Sequence, residues 1–184
     1  NGSVPGPLVR LKEGQEAVLR VTNNLDEDTS IHWHGLLVPT DQDGVPGFSF
    51  EGIPPGETFT YRFDVRQAGT YWYHSHSGTQ EQEGMYAPLV IDPRGTDPVS
   101  YDREHVVVLS DWTDEDPMSV LRNLKGNGAY YNYGKRTLPQ FVDGLLDDAG
   151  ATIRDRTMWG RMRMDPTDIA DVTGATYDYL LNGT

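Results

Sequence analysis

The chain has 184 residues, no cysteine, five histidines and a formal net charge of −13, from 15 Lys and Arg against 28 Asp and Glu. The lack of cysteine excludes disulfides, iron–sulfur clusters, zinc ribbons, cysteine nucleophiles and any copper site that needs a thiolate. The acidic charge and the absence of a dense basic run argue against a nucleic-acid partner. No apolar run approaches the ~20 residues that span a bilayer. The length fits one domain, or one domain with a large insertion.

The first 112 residues have the pattern of short strands separated by turns. Residues 57–65 alternate, with Phe59, Tyr61, Phe63 and Val65 on one face and polar side chains on the other, as in a strand with one buried face. Further strands are predicted at residues 16–22, 69–73, 88–91 and 105–109. Turns are indicated by Asp43-Gly44, Pro46-Gly47 and Pro54-Pro55-Gly56. Several short strands with regular turns predict an all-β sandwich or barrel.

The pattern changes after Trp112. Asp116 as N-cap, with Pro117 at the first helical position, predicts a short helix over residues 117–125. Residues 147–164 and 165–172 are predicted to be partly helical, and residues 177–181 to form a strand. We therefore expect a β-domain at 1–112, a mixed loop and helix excursion at 113–175, and at 176–184 the start of a strand or linker that leads to a further domain.

Both ends of the chain carry the same short motif. Asn1-Gly2-Ser3 and Asn182-Gly183-Thr184 match the N-x-[ST] glycosylation pattern, or they mark the starts of two similar structural units. Because the sequence opens with Asn1 rather than Met, we expect a processed or excised chain.

Four of the five histidines form two His-x-His pairs, His32-Trp33-His34 and His74-Ser75-His76. On an extended chain, residues i and i+2 point to the same side, roughly 6.5–7 Å apart, so each pair presents two imidazoles to one space. A single pair is equally well explained as two surface histidines. Two pairs in a chain with one other histidine indicate a metal site, and four neutral nitrogens suit copper, zinc, iron or nickel.

Two kinds of metal site remain open on spacing alone. One pair joined by a third histidine would hold a single zinc with an open position for water, as in a hydrolase or hydratase. Four imidazoles in two forked pairs would instead bridge a metal cluster. The aromatic neighbours would shield such a site or simply pack in the core of a sandwich: Trp33, Tyr71, Trp72 and Tyr73.

Three segments together resemble the first cupredoxin, or plastocyanin-like, domain of the multicopper oxidases. They are residues 31–36 (IHWHGL), 55–63 (PGETFTYRF) and 69–76 (GTYWYHSH), and the resemblance extends to about residue 112. Residues 80–84 (QEQEG) and 158–172 (MWGRMRMDPTDIADV) resemble the bacterial copper-resistance protein A type of that family.

The resemblance implies a Greek-key β-sandwich, copper as cofactor and export to the periplasm. It also implies that His32 ligates the type 2 copper, and that His34, His74 and His76 ligate the type 3 pair. These are half of the eight histidines in a trinuclear cluster that reduces O2 to water, with Cu(I) or a phenol as electron donor. The other half, and the cysteine of the type 1 site, belong to C-terminal cupredoxin domains of the family.

The absence of cysteine leaves no type 1 site in this chain. Our hypothesis is an N-terminal domain of a copper-dependent oxidase, inactive alone, with the histidines at an exposed face where copies of the chain can associate. The alternative is a freestanding acidic copper carrier or buffer without turnover.

Other candidate residues have simpler explanations. His105 is expected to have a structural or solvent-edge role, on a face with Val107 and Leu109. Met158, Met162 and Met164 are soft Cu(I) ligands in principle, but core packing is favoured for the helical pair Met158 and Met162. Three aspartates are candidate proton donors for oxygen reduction, although Asp43-Gly44 is more simply a turn: Asp41, Asp43 and Asp111. Glu81 and Glu83 are candidates for attracting cupric ions, although exposed carboxylates usually only solvate a surface.

Overall fold

The computed structural model describes residues 2–48, 50–97, 99–127, 130–131, 138–162 and 178–184. Within these ranges the strands are β1 (Val9–Lys12), β2 (Glu16–Thr22), β3 (His32–His34), β4 (Thr58–Asp64), β5 (Gly69–His74), β6 (Tyr86–Asp92), β7 (Leu109–Trp112) and β8 (Asp178–Leu181). The helices are a 3-10 turn at Thr40–Gln42, α1 (Pro117–Gly126) and α2 (Leu138–Met162). The chain divides into two compact units, Asn1–Trp112 with Tyr179–Thr184, and Thr113–Asp178.

Two of the sheets in the first unit share one core. One sheet has the order β1-β6-β5-β3, with β1 parallel to β6 and the other pairs antiparallel, and the second sheet pairs β2 with β4. Buried side chains from both sheets form a single cluster: Ala17, Trp33, Tyr61, Phe63, Leu89 and Ile91. The predicted all-β sandwich is therefore confirmed.

The period-two pattern of β4 predicts its burial correctly. Tyr61 and Phe63 are buried and Phe59 is half-buried, whereas the polar residues between them are exposed. Tyr61 is fully buried, and its hydroxyl accepts a hydrogen bond of 3.1 Å from the Ile31 amide. Burial raises the pKa of this hydroxyl to about 12, with the Ile31 hydrogen bond opposing the shift.

The strand predicted at 105–109 is wrong in position. β7 begins only at Leu109 and pairs with β8. His105 therefore lies outside any strand and is exposed, so it does not share a strand face with Val107 and Leu109. Both backbone hydrogen bonds of Val108 are made instead with Asn182. The side-chain oxygen of Asn182 accepts from the Val108 backbone amide, and the backbone amide of Asn182 donates to the Val108 carbonyl.

An acidic residue caps the start of α1, and another lies at an interruption inside α2. Asp116 accepts a hydrogen bond from the Ser119 amide at 2.9 Å, which confirms the predicted N-cap of α1. α2 is interrupted by non-helical backbone at Asp148, whose carboxylate accepts from the Ala151 amide, so that the helix restarts close to the predicted residue 147. Among the described residues, neither helix combines the length and apolarity needed to cross a membrane.

The methionine predictions are only partly tested. Met158 is 56% exposed, so core packing is wrong for that residue. The side chain of Met162, all of Met164 and the helix predicted at 165–172 lie outside the described residues.

Candidate metal centre

The pairing of β3 with β5 brings the two histidine pairs onto one face of a sheet. His32 lies opposite His74, and His34 lies opposite Trp72, in an antiparallel register. Side chains directly opposite each other share a face, and residues i and i+2 share it too. His32, His34, His74 and Trp72 therefore project from the same side, whereas Trp33 and Tyr73 project into the core from the other side.

Three of the imidazoles converge closely. His32, His34 and His74 each offer a ring nitrogen, and these three atoms lie within 4.8 Å of one another. His34 Nδ1 lies 3.2 Å from His74 Nε2. His76 is outside this group, with its ring centroid 5.7 Å from that of His32 and 6.3 Å from that of His74. His34 and His76 are exposed, His32 is half-buried and His74 is 5% exposed.

The backbone determines which nitrogen of two rings is free. His32 Nδ1 lies 2.9 Å from the carbonyl oxygen of Asp43, and His74 Nδ1 lies 2.8 Å from that of Ser75. A carbonyl only accepts, so each Nδ1 carries the proton and each Nε2 keeps its lone pair. A carbonyl or carboxylate behind a histidine ligand is the usual way in which proteins orient the ring toward a metal.

Two carboxylates add to these contacts. Asp43 Oδ1 lies 3.3 Å from His32 Nδ1, and Glu81 Oε2 lies 2.9 Å from His74 Nδ1. Burial lowers the pKa of His74, opposed by the Ser75 hydrogen bond and by the charge of Glu81. The lowered pKa keeps the His74 ring neutral at pH 7, which is the state that binds a metal.

A buried glutamine connects the segment before β3 to the second histidine pair. Gln80 is 4% exposed, and its side-chain oxygen accepts from Thr29 Oγ1 and Ser75 Oγ, both at 2.7 Å. Its amide nitrogen donates to Glu27 Oε1 at 2.7 Å and to the Asp28 carbonyl at 2.9 Å. All four hydrogen-bonding positions of the amide are therefore used.

A second link joins the two pairs through serines. Ser30 Oγ accepts from the His76 amide at 3.0 Å and lies 2.9 Å from Ser77 Oγ. Together with Gln80, these contacts fix the backbone on both sides of His74 and His76.

The aromatic neighbours divide between the two roles expected for them. Trp72 stacks on His34 and His74, with ring centroids 4.8 and 4.2 Å apart. Trp33 packs instead against Tyr61, Phe63 and Tyr73, and it is 2% exposed. Trp72 shields the imidazoles, and Trp33 belongs to the core.

The structure separates the acidic candidates. Asp43 contacts His32 as described, whereas Asp41 lies in the exposed 3-10 turn and accepts from Gln42. Glu81 reaches His74, whereas exposed Glu83 accepts from Thr79. Asp111 is exposed. The sequence pattern missed the role of Gln80 and left Trp72 open between shielding and core packing, since only the fold of the loop after His76 and the β3–β5 register decide these roles.

The donor set fits a transition metal that accepts imidazole. Metal–nitrogen bonds of about 2.0–2.1 Å in a tetrahedral arrangement separate two ligand atoms by about 3.3 Å, close to the 3.2 Å between His34 Nδ1 and His74 Nε2. Neutral imidazoles suit copper, zinc, iron and nickel, and the described site includes no oxygen-rich cage of the kind that calcium or magnesium requires.

Comparison with known proteins narrows the choice among these metals. Residues 1–96 match the family model described as multicopper oxidase. Over all 184 residues the chain is 59% identical to copper resistance protein A of Pseudomonas syringae pv. tomato, and 57% identical to copper resistance protein A of Escherichia coli. It covers 30% of each of these relatives, so it spans about a third of their length.

Solved structures agree with this result. Over its whole length the chain matches 45% of the blue copper oxidase of Nitrosomonas europaea, with a TM-score of 0.60 and 27% identity. The cupredoxin-like fold class predicted from the sequence is thereby confirmed, and the predicted cofactor, copper, is the metal that these relatives' names state.

Proposed function

The chain belongs to the multicopper oxidase family, and from this membership we propose that it supplies half of the histidine ligands of an oxygen-reducing copper cluster. One observation carries the proposal: His34 Nδ1 and His74 Nε2 are 3.2 Å apart, and a ring nitrogen of His32 belongs to the same group, within 4.8 Å. Three imidazole nitrogens gathered in this way, with the His32 and His74 rings oriented by the Asp43 and Ser75 carbonyls, form a preorganised half of a metal site.

In this proposal His32 ligates the type 2 copper, and His34, His74 and His76 ligate the type 3 pair. When bound, copper supplies the one-electron redox chemistry that oxygen reduction requires. The protein holds the ligand nitrogens in place through the carbonyls of Asp43 and Ser75. Trp72 covers one face of His34 and His74 and keeps water from that side of the rings.

The activity of the whole protein extends the same proposal. Because the relatives are about three times longer, we assign the remaining ligands and the type 1 site to further cupredoxin domains, with Cu(I) or a phenol as electron donor. The proposed division of this chain stays at 1–112, 113–175 and 176–184. The proposed location is the periplasm. Self-association would cover the exposed apolar side chains Leu37 and Phe48, which are 68% and 81% exposed. The alternative, a freestanding copper carrier, is not favoured by any described feature.

Histidine substitutions test the site. We expect His34→Ala and His74→Ala each to weaken copper binding by at least about 100-fold, since even the loss of an outer-shell partner costs about 10–100-fold. His105→Ala is the matched control, because His105 is exposed and lies outside the site. Isothermal titration with Cu(II) and metal analysis provide the measurements. Equal affinity in all three variants would exclude the site.

Oxygen uptake tests the half-site. The copper-loaded 184-residue chain is expected to show no sustained oxygen consumption with a phenolic donor, because it has no cysteine to form a type 1 site. Sustained four-electron reduction of O2 by this chain alone would contradict the proposal.

A further inference from the structure

His34, the second histidine of the first pair, lies in a tight turn as well as in a strand. β3 ends at His34, and the Leu36 amide donates to the Trp33 carbonyl at 3.1 Å, so residues 33–36 form a β-turn. Gly35 is the third residue of this turn, and its φ of 83° is the positive value that a type II turn requires there. The direction of the His34 side chain therefore depends on the geometry of this turn.

The ring of His34 is held differently from the rings of its neighbours. His32 Nδ1 and His74 Nδ1 each face a backbone carbonyl, whereas His34 Nδ1 faces His74 Nε2 at 3.2 Å. His34 is also exposed, so the close packing of a protein core does not fix its ring. Its orientation depends instead on the stack with Trp72, at 4.8 Å between ring centroids, and on the backbone from which the side chain extends.

One side-chain amide ties this turn to the segment before β5. Gln67 Nε2 donates to the Gly35 carbonyl and Gln67 Oε1 accepts from the Leu37 amide, both at 2.8 Å. The same nitrogen donates to Tyr71 Oη at 2.9 Å, and that hydroxyl donates to the Ala68 carbonyl at 3.0 Å. Because both N–H groups and the oxygen of the amide are engaged, the side chain is held in one orientation.

The Tyr71 ring lies directly against the turn. A Cβ atom on Gly35 would lie 3.2 Å from Tyr71 Cδ1, which is a close contact. Tyr71 packs against the core, on the opposite face of β5 from Trp72, since side chains alternate along a strand. The turn is thus attached to a position fixed by the core, one residue away from the indole that stacks on His34.

We propose that Gln67 is a positioning residue for His34, because its amide fixes the turn and so holds the imidazole against Trp72. It acts through its hydrogen bonds to the backbone of Gly35 and Leu37, which follow His34 in the chain. This role rests on the proposed copper site only for its effect on metal affinity. Its effect on the His34 ring needs no metal.

Gln67→Glu tests this role in the metal-free chain. The carboxylate can still accept from the Leu37 amide, but it places an oxygen opposite the Gly35 carbonyl, where a donor stood before. At pH 7.5 in EDTA, we expect nuclear Overhauser contacts between the His34 and Trp72 rings in the wild type and their loss in this variant. Contacts that persist unchanged in Gln67→Glu overturn the inference.

Asn182→Asp is the matched control. The Asn182 side chain makes the same pair of contacts elsewhere, because it donates to the Val106 carbonyl at 3.5 Å and accepts from the Val108 amide at 2.8 Å. This substitution adds the same charge, and the contacts between the His34 and Trp72 rings are expected to remain. Their loss in both variants overturns the inference, since added charge would then account for it.

Copper affinity gives a second readout, by calorimetric titration with Cu(II). Gln67→Glu is expected to bind about tenfold more weakly, as for the loss of other outer-shell partners, although its added charge alone would attract the cation. Gln67→Met adds no charge and is expected to lose affinity as well, whereas Asn182→Asp is expected to change by less than about twofold. Unchanged or raised affinity in both Gln67 variants overturns the inference.

A double-mutant cycle with His34→Ala shows whether Gln67 acts through this histidine. In the His34→Ala background, Gln67→Glu is expected to cause no further loss of copper affinity. A further loss of about tenfold there overturns the inference, because Gln67 would then act on the fold as a whole. If His34→Ala itself leaves copper affinity unchanged, the proposed function fails, and the ring contacts in the metal-free chain still decide the role of Gln67.

Discussion

At the scale of single residues, the candidate ligands are oriented by groups from other parts of the sequence. Gln80 is the clearest case, because its amide spans from Glu27 and Thr29, which precede β3, to Ser75, which separates His74 from His76. A buried amide with all of its hydrogen bonds made holds one geometry, and the loss of any partner leaves a costly unpaired group. Gln80 is therefore a positioning residue for the second histidine pair.

The substitution Gln80→Glu tests this role. It replaces the donating nitrogen with an oxygen that faces Glu27 Oε1 and the Asp28 carbonyl, so two attractive contacts become repulsive. We expect a loss of about 3 kcal/mol or more in the free energy of unfolding by urea, as for other broken buried charge networks. Copper affinity should fall as well, because Ser75 loses its fixed partner.

Gln82→Glu provides the comparison, since it adds the same charge two residues away at a half-buried site. We expect it to change the unfolding free energy by less than about 1 kcal/mol. Similar losses in both variants would mean that added charge, rather than the network, controls stability.

At the scale of elements, the turn after the first histidine pair holds β3 in place. Gly44 has a positive φ of 73°, and a Cβ atom there would lie 1.9 Å from the carbonyl oxygen of Ile31. Ile31 directly precedes His32, and the carbonyl of Asp43, next to Gly44, accepts a hydrogen bond from the His32 imidazole. The closeness of this turn to β3 therefore determines where the His32 ring points.

Gly44→Ala and Gly47→Ala form a matched pair for this contact. Gly47 has a similar φ of 79°, but a Cβ atom there would meet nothing within 4 Å. Both variants incur about 1 kcal/mol of backbone strain. We expect Gly44→Ala to lose at least about 2 kcal/mol more, because the clash adds to the strain. Urea unfolding measures the difference, and Cu(II) titration should show weaker binding only in Gly44→Ala. Equal losses in the two variants would rule out the clash.

The same elements show which structural features the sequence pattern can predict and which it cannot. The alternation in β4 and the Asp116 cap depend on nearest neighbours along the chain, and both were predicted correctly. β7 was misplaced because its partner, β8, lies about 70 residues away and sets where pairing starts. The two His-x-His pairs indicated a metal site, but the contacts of Gln80, Glu81 and Trp72 arise only from tertiary packing.

At the scale of the whole molecule, charge is unbalanced. The 28 acidic residues exceed the 15 basic ones by 13. Exposed ion pairs such as Arg62 with Glu16 contribute about 0–1 kcal/mol each. Unpaired acidic charge therefore dominates, and its self-repulsion destabilises the compact state.

Salt should relieve this repulsion. We expect the melting temperature of the metal-free chain at pH 7.5 to rise by about 2–4 °C between 10 and 150 mM NaCl, which corresponds to about 1 kcal/mol for a chain of this size. Near the isoelectric point of about 4.6 the rise should disappear, because the net charge vanishes. A melting temperature that falls with salt at pH 7.5 would show that ion pairs outweigh repulsion. Scanning calorimetry at both pH values provides the measurement.

The three residues of β3 serve two neighbouring environments at once. Trp33 fills the core, while His32 and His34 face the opposite side of the same short strand. Because Trp33 stands between the two histidines in the chain, both imidazoles are carried by the strand that the indole anchors in the core. A ligand that binds only the folded state stabilises that state, so a metal held by His32 and His34 would also stabilise the burial of Trp33.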